Sequence, residues 1–399
     1  MKLFFASAIL ANTLFAAADS GDVVGKVVAG YQQAANVHCL WMQQNGIDCA
    51  ALQRFASAVG PGTVKQAQFD GVATRMKNAA ETYGRKFYIM YDCSGNTPAE
   101  TDWTNTIVGA LHLTSSPAYA RQNGKPVVCF FGVGKSGRGT IAQWVAKINW
   151  FKAQGCYVIG GPLHDWRSSP DMSAYNACDM IMPWMVGSRS GFQNQYAADL
   201  AYCKAHGLDY QADIYPGTSF YNNAQSNRSS KNLIPRMHGD FMWSQFAQAK
   251  AAGVGSIYIS MFDEAQEATQ IFKTAENASQ IPAGKWFLTL DADGVACSSD
   301  FYLRLTRDGG AMIKGALPYT ATLPAPHLAE VGIIVGPKID RHAQPGLSGE
   351  EGEGGTEGLS IYDARGRRIP LFRGPIGHGS SIARFAEASG RKPDAAPVP

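Results

Sequence analysis

Ser256-Ile257-Tyr258-Ile259-Ser260-Met261-Phe262-Asp263-Glu264-Ala265-Gln266-Glu267-Ala268-Thr269-Gln270 is the stretch on which the fold turns. Its first half is uncharged, β-branched and aromatic, the composition of a fully buried strand. It then runs into three carboxylates, Asp263, Glu264 and Glu267. A parallel barrel presents its chemistry at the C-terminal ends of its strands, and an apolar strand leading into acids fits that plan. Acids just after a strand also cap the next helix, a role that suits Glu267 equally well. What separates the two readings is whether this strand is the last of a series.

Upstream, strand and helix patterns alternate. The expected strands are Val23 to Gly30, Ile47 to Leu52, Lys86 to Tyr91, Pro126 to Phe131, Cys156 to Gly161, Met180 to Val186 and Asp209 to Tyr215. Between them run helical patterns, most of them stopped by a glycine: Gly46, Gly84, Gly155, Gly207 and Gly253. Such alternation implies a parallel sheet with helices outside it. Eight repeats over about 250 residues favour a closed (β/α)8 TIM barrel over an open doubly wound sheet. The expected organisation is a leader over 1–18, a catalytic barrel over 19–280, a C-terminal extension packed on the barrel over 281–315, and a disordered tail over 316–399. Gly- and Glu-rich sequence from Pro345 to Gly358 sets that tail apart. Gly132-Val133-Gly134-Lys135-Ser136-Gly137 is rich in glycine but matches neither a P-loop nor a dinucleotide fingerprint.

The 399 residues carry a formal charge of +3, and no block of basic residues marks a nucleic-acid site. Met1 to Ala18 has one early positive charge, a short apolar run and small residues at Ala16 and Ala18. It reads as a secretory signal cut before Asp19, and no later stretch is apolar enough to span a membrane. Export makes the chain extracellular and makes disulfides an expectation for the eight cysteines, although buried thiols give the same pattern. Asn227-Arg228-Ser229 and Asn277-Ala278-Ser279 are glycosylation sequons.

If the barrel forms, its mouth gathers Gln53, Arg54, Asp92, Trp166, Arg167, Trp184, Asp213, Tyr215, Arg236, Asp263, Glu264 and Glu267. Carboxylates there can move protons, polar groups can hold hydroxyls, and aromatic faces can stack on pyranose rings. Glycoside hydrolysis needs an acid for the leaving oxygen and a second carboxylate as base or nucleophile. Glu264 and Glu267, three apart, are the candidate pair, and their closeness should leave one protonated and one ionised. No serine or cysteine nucleophile motif and no metal-binding spacing accompanies them, so no cofactor is expected.

Glu264-Ala265-Gln266-Glu267-Ala268-Thr269-Gln270-Ile271 resembles the E-x-x-E-G-T-Q-I signature of glycoside hydrolase family 99, the endo-α-mannosidases. Trp41-Met42, Gly46-Ile47-Asp48, Leu52-Gln53-Arg54-Phe55 and Phe87-Tyr88-Ile89-Met90-Tyr91-Asp92 look like other parts of that clan. Family 71, the fungal α-1,3-glucanases, has the same acid spacing. The resemblance covers roughly Val23 to Gly315. It implies a (β/α)8 fold, with Glu267 as general acid/base and Glu264 as base towards a sugar 2-hydroxyl or a water. It also implies that Asp263 and Asp92 hold hydroxyls. Ala268 stands where the family has glycine, and Gly30-Tyr31-Gln32-Gln33 lacks the aromatic residues of the family's first strand end. The leading expectation is a monomeric, secreted hydrolase of α-linked poly- or oligosaccharides. The alternatives are a silent sugar-binding barrel, or a lyase whose Arg54, Arg167 and Arg236 grip an acidic glycan.

Overall fold

The computed structural model describes residues 4–8, 21–59, 64–93, 99–222, 230–331, 361–362 and 368–369. The barrel strands are β1 (Phe4–Ala8), β2 (Cys49–Phe55), β3 (Lys86–Asp92), β4 (Lys125–Phe131), β5 (Tyr157–Gly161), β6 (Met180–Ile181), β7 in two pieces (Asp209–Tyr210 and Ala212–Ile214) and β8 (Ile257–Ile259). Each pairs in parallel with its neighbours. β1 bonds to both β2 and β8, and the two pieces of β7 reach β6 on one side and β8 on the other. The ring is therefore closed, the (β/α)8 arrangement that the alternation predicts.

Helices α1 (Gly21–Gln44), α2 (Val64–Thr82), α4 (Ile141–Ala153), α6 (Phe192–Ala205) and α7 (Asp240–Ala251) lie between successive strands. So do two shorter ones. α3 (Ala99–Asp102) continues into a π-helical segment over Trp103–Ala110, and α5 is Ser173–Ala177. α8 (Phe301–Lys314) follows β8 and packs on α7 so closely that a Cβ on Gly309 would stand 2.6 Å from the Phe246 ring. Lys314 at its end pairs with Asp48 at 2.7 Å, just beyond α1. α8, within the 281–315 segment, thus takes the place of the eighth barrel helix.

The first strand is corrected. Val23 to Gly30 is β-branched, yet it lies inside the 24-residue α1. The strand it was expected to supply comes instead from Phe4–Ala8, within the apolar run that reads as a leader. The boundary at 316 also moves. α9 (Ala325–Val331) folds back on the barrel: Leu323 is buried, the Trp243 indole donates to the Thr320 carbonyl at 3.2 Å, and buried His327 meets Asp308 at 2.8 Å. Beyond it, Ile361–Tyr362 and Arg368–Ile369 form an antiparallel pair, and the Gly- and Glu-rich stretch lies outside the described residues.

Strand alternation sorts side chains between the lumen and the helix layer. In β2 and β3, Arg54 and Tyr91 are register partners and both turn outward, while Gln53 and Asp92 turn inward and meet. Behind the wall, Tyr91, Phe130, Trp103, Trp144 and Phe151 form an edge-to-face and stacked aromatic cluster. The disulfides expected of an oxidising compartment do not form: all eight cysteines are free, buried thiols. Burial pushes Cys39, Cys93 and Cys156 up to about 12.

Candidate active site

After Ile259 the chain makes a closed loop rather than a helix. Met261 N–H donates to the Thr269 carbonyl at 2.9 Å, and Ile271 N–H returns to the Met261 and Phe262 carbonyls at 3.1 Å. Thr269 N–H reaches the Glu264 carbonyl at 3.3 Å, so Glu264 through Ala268 form the tip. The loop leaves β8 at the C-terminal mouth of the ring, where both glutamates are half-buried. Burial pushes the Glu264 carboxyl well above the usual range, and the charges of Glu267 and then Asp263 push it the same way. All three effects favour the protonated form of Glu264.

Neighbouring elements hold the tip from three sides. The Glu267 carbonyl accepts from Ser219 N–H and from the Thr218 hydroxyl, both at 2.8 Å, on the loop after β7. Arg236 donates to the carbonyls of Ala268 at 3.0 Å and Gln270 at 2.8 Å, and to the Gln270 side chain at 3.1 Å. Its guanidinium sits 4.5 Å above the Tyr302 ring of α8. On the third side His38 of α1 lies 3.9 Å from Asp263 and packs against Trp41, Phe262 and Phe272. Burial lowers His38 to about 4, so it faces Asp263 as the neutral ring.

Of the expected site residues, Glu264, Glu267, Gln53, Asp92 and Trp184 lie at strand ends, or on the segments that follow them, at the C-terminal face of the ring. Gln53 Nε2 approaches Asp92 at 3.4 Å, and Asp92 also binds Arg138. Half-buried Trp184 packs on Met261 and, edge to face, on Phe131 with centroids 5.1 Å apart. Asp213 lies deeper in the ring. It accepts the Ser260 hydroxyl at 2.6 Å and Met185 N–H at 2.7 Å, tying the end of β8 to the segment after β6.

Six expectations are corrected. Arg54 turns outward into a buried network with Asp102 at 2.6 and 2.7 Å and Asp70 at 2.6 Å. Trp166 is buried between Tyr175 and Tyr202 and donates to Asp199 at 3.2 Å. Arg167 pairs with that same Asp199 at 2.5 Å. Tyr215 is buried against Phe241, its hydroxyl on the Ser188 carbonyl. Arg236 grips the acid loop itself. The Asp263 side chain is only 1% exposed and faces His38, out of reach of a sugar hydroxyl. Arg54 and Arg236 are buried in protein contacts, which withdraws two of the three arginines from the lyase alternative, while Arg167 stays exposed beside His164 and Asp165.

Arg138, His38, Thr218 and Ser219 were missed. Arg138 belongs to the glycine-rich loop after β4, and its aliphatic stem fills the space where a Cβ on Gly132 would fall, at 2.5 Å. The glycines there let an arginine lie back over Phe131 towards Asp92. His38 and the Thr218-Ser219 pair act across the fold and have no local signature.

No protein-family model matches the chain, and no curated protein does. Among solved structures, the family 99 endo-α-mannosidase of Bacteroides thetaiotaomicron superposes with a TM-score of 0.56 at 17% identity, over 71% of this chain and 80% of that one. A protein described as glycoside hydrolase-like gives 0.50 at 15% identity, over 77% and 93%. At these identities the likeness is one of fold, and the chain shares the (β/α)8 architecture of both.

Proposed function

We propose that the chain is a glycoside hydrolase that cleaves α-linked glycans of the glucan or mannan type, with Glu264 and Glu267 handling the protons. The observation that carries this reading is the acid loop: two glutamates three residues apart on one short loop at the barrel mouth, with Glu264 pushed towards its protonated form by burial and by the charge of Glu267. A protonated and an ionised carboxyl are what cleavage of a glycosidic bond requires. The fold likeness to an endo-α-mannosidase supports the α-linked substrate class.

The family resemblance makes Glu267 the acid and Glu264 the base, whereas burial and the Glu267 charge favour a proton on Glu264. Both hold if the proton crosses to Glu267 when a glycan enters. Glu267 then donates it to the glycosidic oxygen as the bond to the anomeric carbon breaks. Glu264, now ionised, takes a proton from the sugar 2-hydroxyl or from water, and that oxygen bonds to the anomeric carbon as the leaving group departs. Gln53 and Asp92 bind hydroxyls, and Trp184 offers a stacking face.

The test pairs two variants with two leaving groups. Glu267→Gln should lose turnover of α-1,3-glucan and α-mannan oligosaccharides but keep that of aryl glycosides, whose leaving group needs no proton. Glu264→Gln should lose both. The reverse pattern exchanges the roles, and unchanged turnover in both variants removes the hydrolase reading. Ala268 in place of the family's glycine favours a second reading, a barrel that binds glycan without cleaving it. Binding with no turnover in the unaltered protein would select that one.

A further inference from the structure

The loop that clamps Glu267 continues outward to a feature the acid chemistry does not use. Tyr221, two residues beyond Ser219, is 41% exposed. Its ring meets the half-buried Trp286 edge to face, with centroids 4.7 Å apart and planes at 68°. The Asn222 side chain donates to the Trp286 carbonyl at 2.8 Å and fixes the two segments together. Lys231 places its ammonium 5.1 Å from the Tyr221 ring and 5.6 Å from the Trp286 ring. The result is an open aromatic corner with a cation over it.

We infer that Tyr221, Trp286 and Lys231 form an outer glycan subsite on the rim of the acid loop. The inference rests on the hydrolase reading above and adds to it where a longer chain would bind. Two ring faces at a wide angle offer one wall to the C–H face of a pyranose and a second to its edge. The ammonium has three donors and no acceptor, which suits it to sugar hydroxyls. Position supports the assignment. Ser219 N–H is on the Glu267 carbonyl, and Tyr221 N–H returns to the Ser219 hydroxyl at 3.3 Å. Tyr221 thus stands two residues along the chain from the residue that holds the Glu267 backbone, on the loop beside the acid loop. A staple that merely joined two loops would need neither the exposure of Tyr221 nor a cation over both rings.

The experiment compares Trp286→Ala, Tyr221→Ala and Lys231→Met with the unaltered chain on long and short oligosaccharides of α-1,3-glucan and α-mannan. Two quantities are read: the ratio of kcat/KM for long over short substrate, and retention of the protein in gels containing the polysaccharide. The subsite predicts that the two aromatic variants lower the ratio about tenfold and lose retention, with a smaller effect for Lys231→Met. An unchanged ratio and retention, whether or not stability falls, assigns the corner to loop packing and overturns the inference. If the unaltered chain is retained but turns over nothing, the hydrolase reading fails while loss of retention in Trp286→Ala still upholds the subsite. If it is not retained by either polysaccharide, the subsite is overturned whatever the turnover.

Discussion

Ala268 is the one residue of the acid loop that adopts a left-handed backbone, with φ at +54°. A Cβ is strained there by roughly 1–2 kcal/mol, and glycine is not. This gives a physical reason for the glycine that the resembling family carries at the position. Ala268→Gly should therefore stabilise the protein, although the more flexible unfolded chain offsets part of the gain. We expect a net increase of about 0.5–1 kcal/mol, read from the denaturant midpoint. Asp213 is a second residue with a measurable signature. Burial raises its carboxyl from 3.8 to about 7, against the lowering effect of the Ser260 and Met185 hydrogen bonds. The native state thus holds a proton that the unfolded chain has released. Stability from this group is fully present below pH 4, falls as pH rises towards 7, and is flat above it. The fall amounts to at most about 4 kcal/mol. Asp213→Asn should flatten stability across that window, and unfolding curves of both proteins from pH 4 to 8 would show it. Equal slopes would mean that Asp213 is ionised throughout.

The acid loop as an element depends on Arg236, which comes from a segment some thirty residues earlier in the chain. Its guanidinium is buried and shared between two carbonyls and an amide oxygen of the loop. Arg236→Ala should lower kcat at least tenfold while KM changes little, because the loop loses its anchor and substrate loses no direct partner. Arg236→Lys keeps the charge without the planar fork and should recover only part of the rate. A rise in KM at unchanged kcat would return Arg236 to the substrate. This residue also shows how far the sequence is legible. Its charge and its place after a strand suggest a sugar ligand, and nothing local reveals that its partners lie at 268–270. Gln53 and Arg54 make the same point: neighbours in a strand face opposite ways, and the residue types do not say which faces the lumen. Trp166 and Arg167 look like mouth residues until α6 brings Asp199 beneath them. By contrast, the strands from β2 to β8 and the placing of the acids on the loop after β8 are legible, because apolar runs closed by glycines and acids after a strand are local patterns.

At the scale of the whole molecule, Phe4–Ala8 decides whether the ring closes. Val23 to Gly30 has strand composition but lies in α1, so among the described residues Phe4–Ala8 is the strand that stands between β2 and β8. That pairing supplies the parallel hydrogen bonds for both neighbouring edges. The same apolar run has the make-up of an export signal, and the expectation of secretion rests on that composition alone. The two uses exclude each other, since a cut before Asp19 removes β1. A barrel without it exposes two strand edges and opens its core between α1 and α8. A chain beginning at Asp19 should therefore unfold at lower denaturant with a shallower, less cooperative transition than the full chain, and should bind a dye specific for exposed apolar surface. The mass of the folded protein recovered from cells separates the two uses: a chain that keeps Phe4–Ala8 assigns the segment to the barrel. If that protein instead begins at Asp19 and unfolds as sharply as the full chain, the segment belongs to export, and another stretch must close the ring.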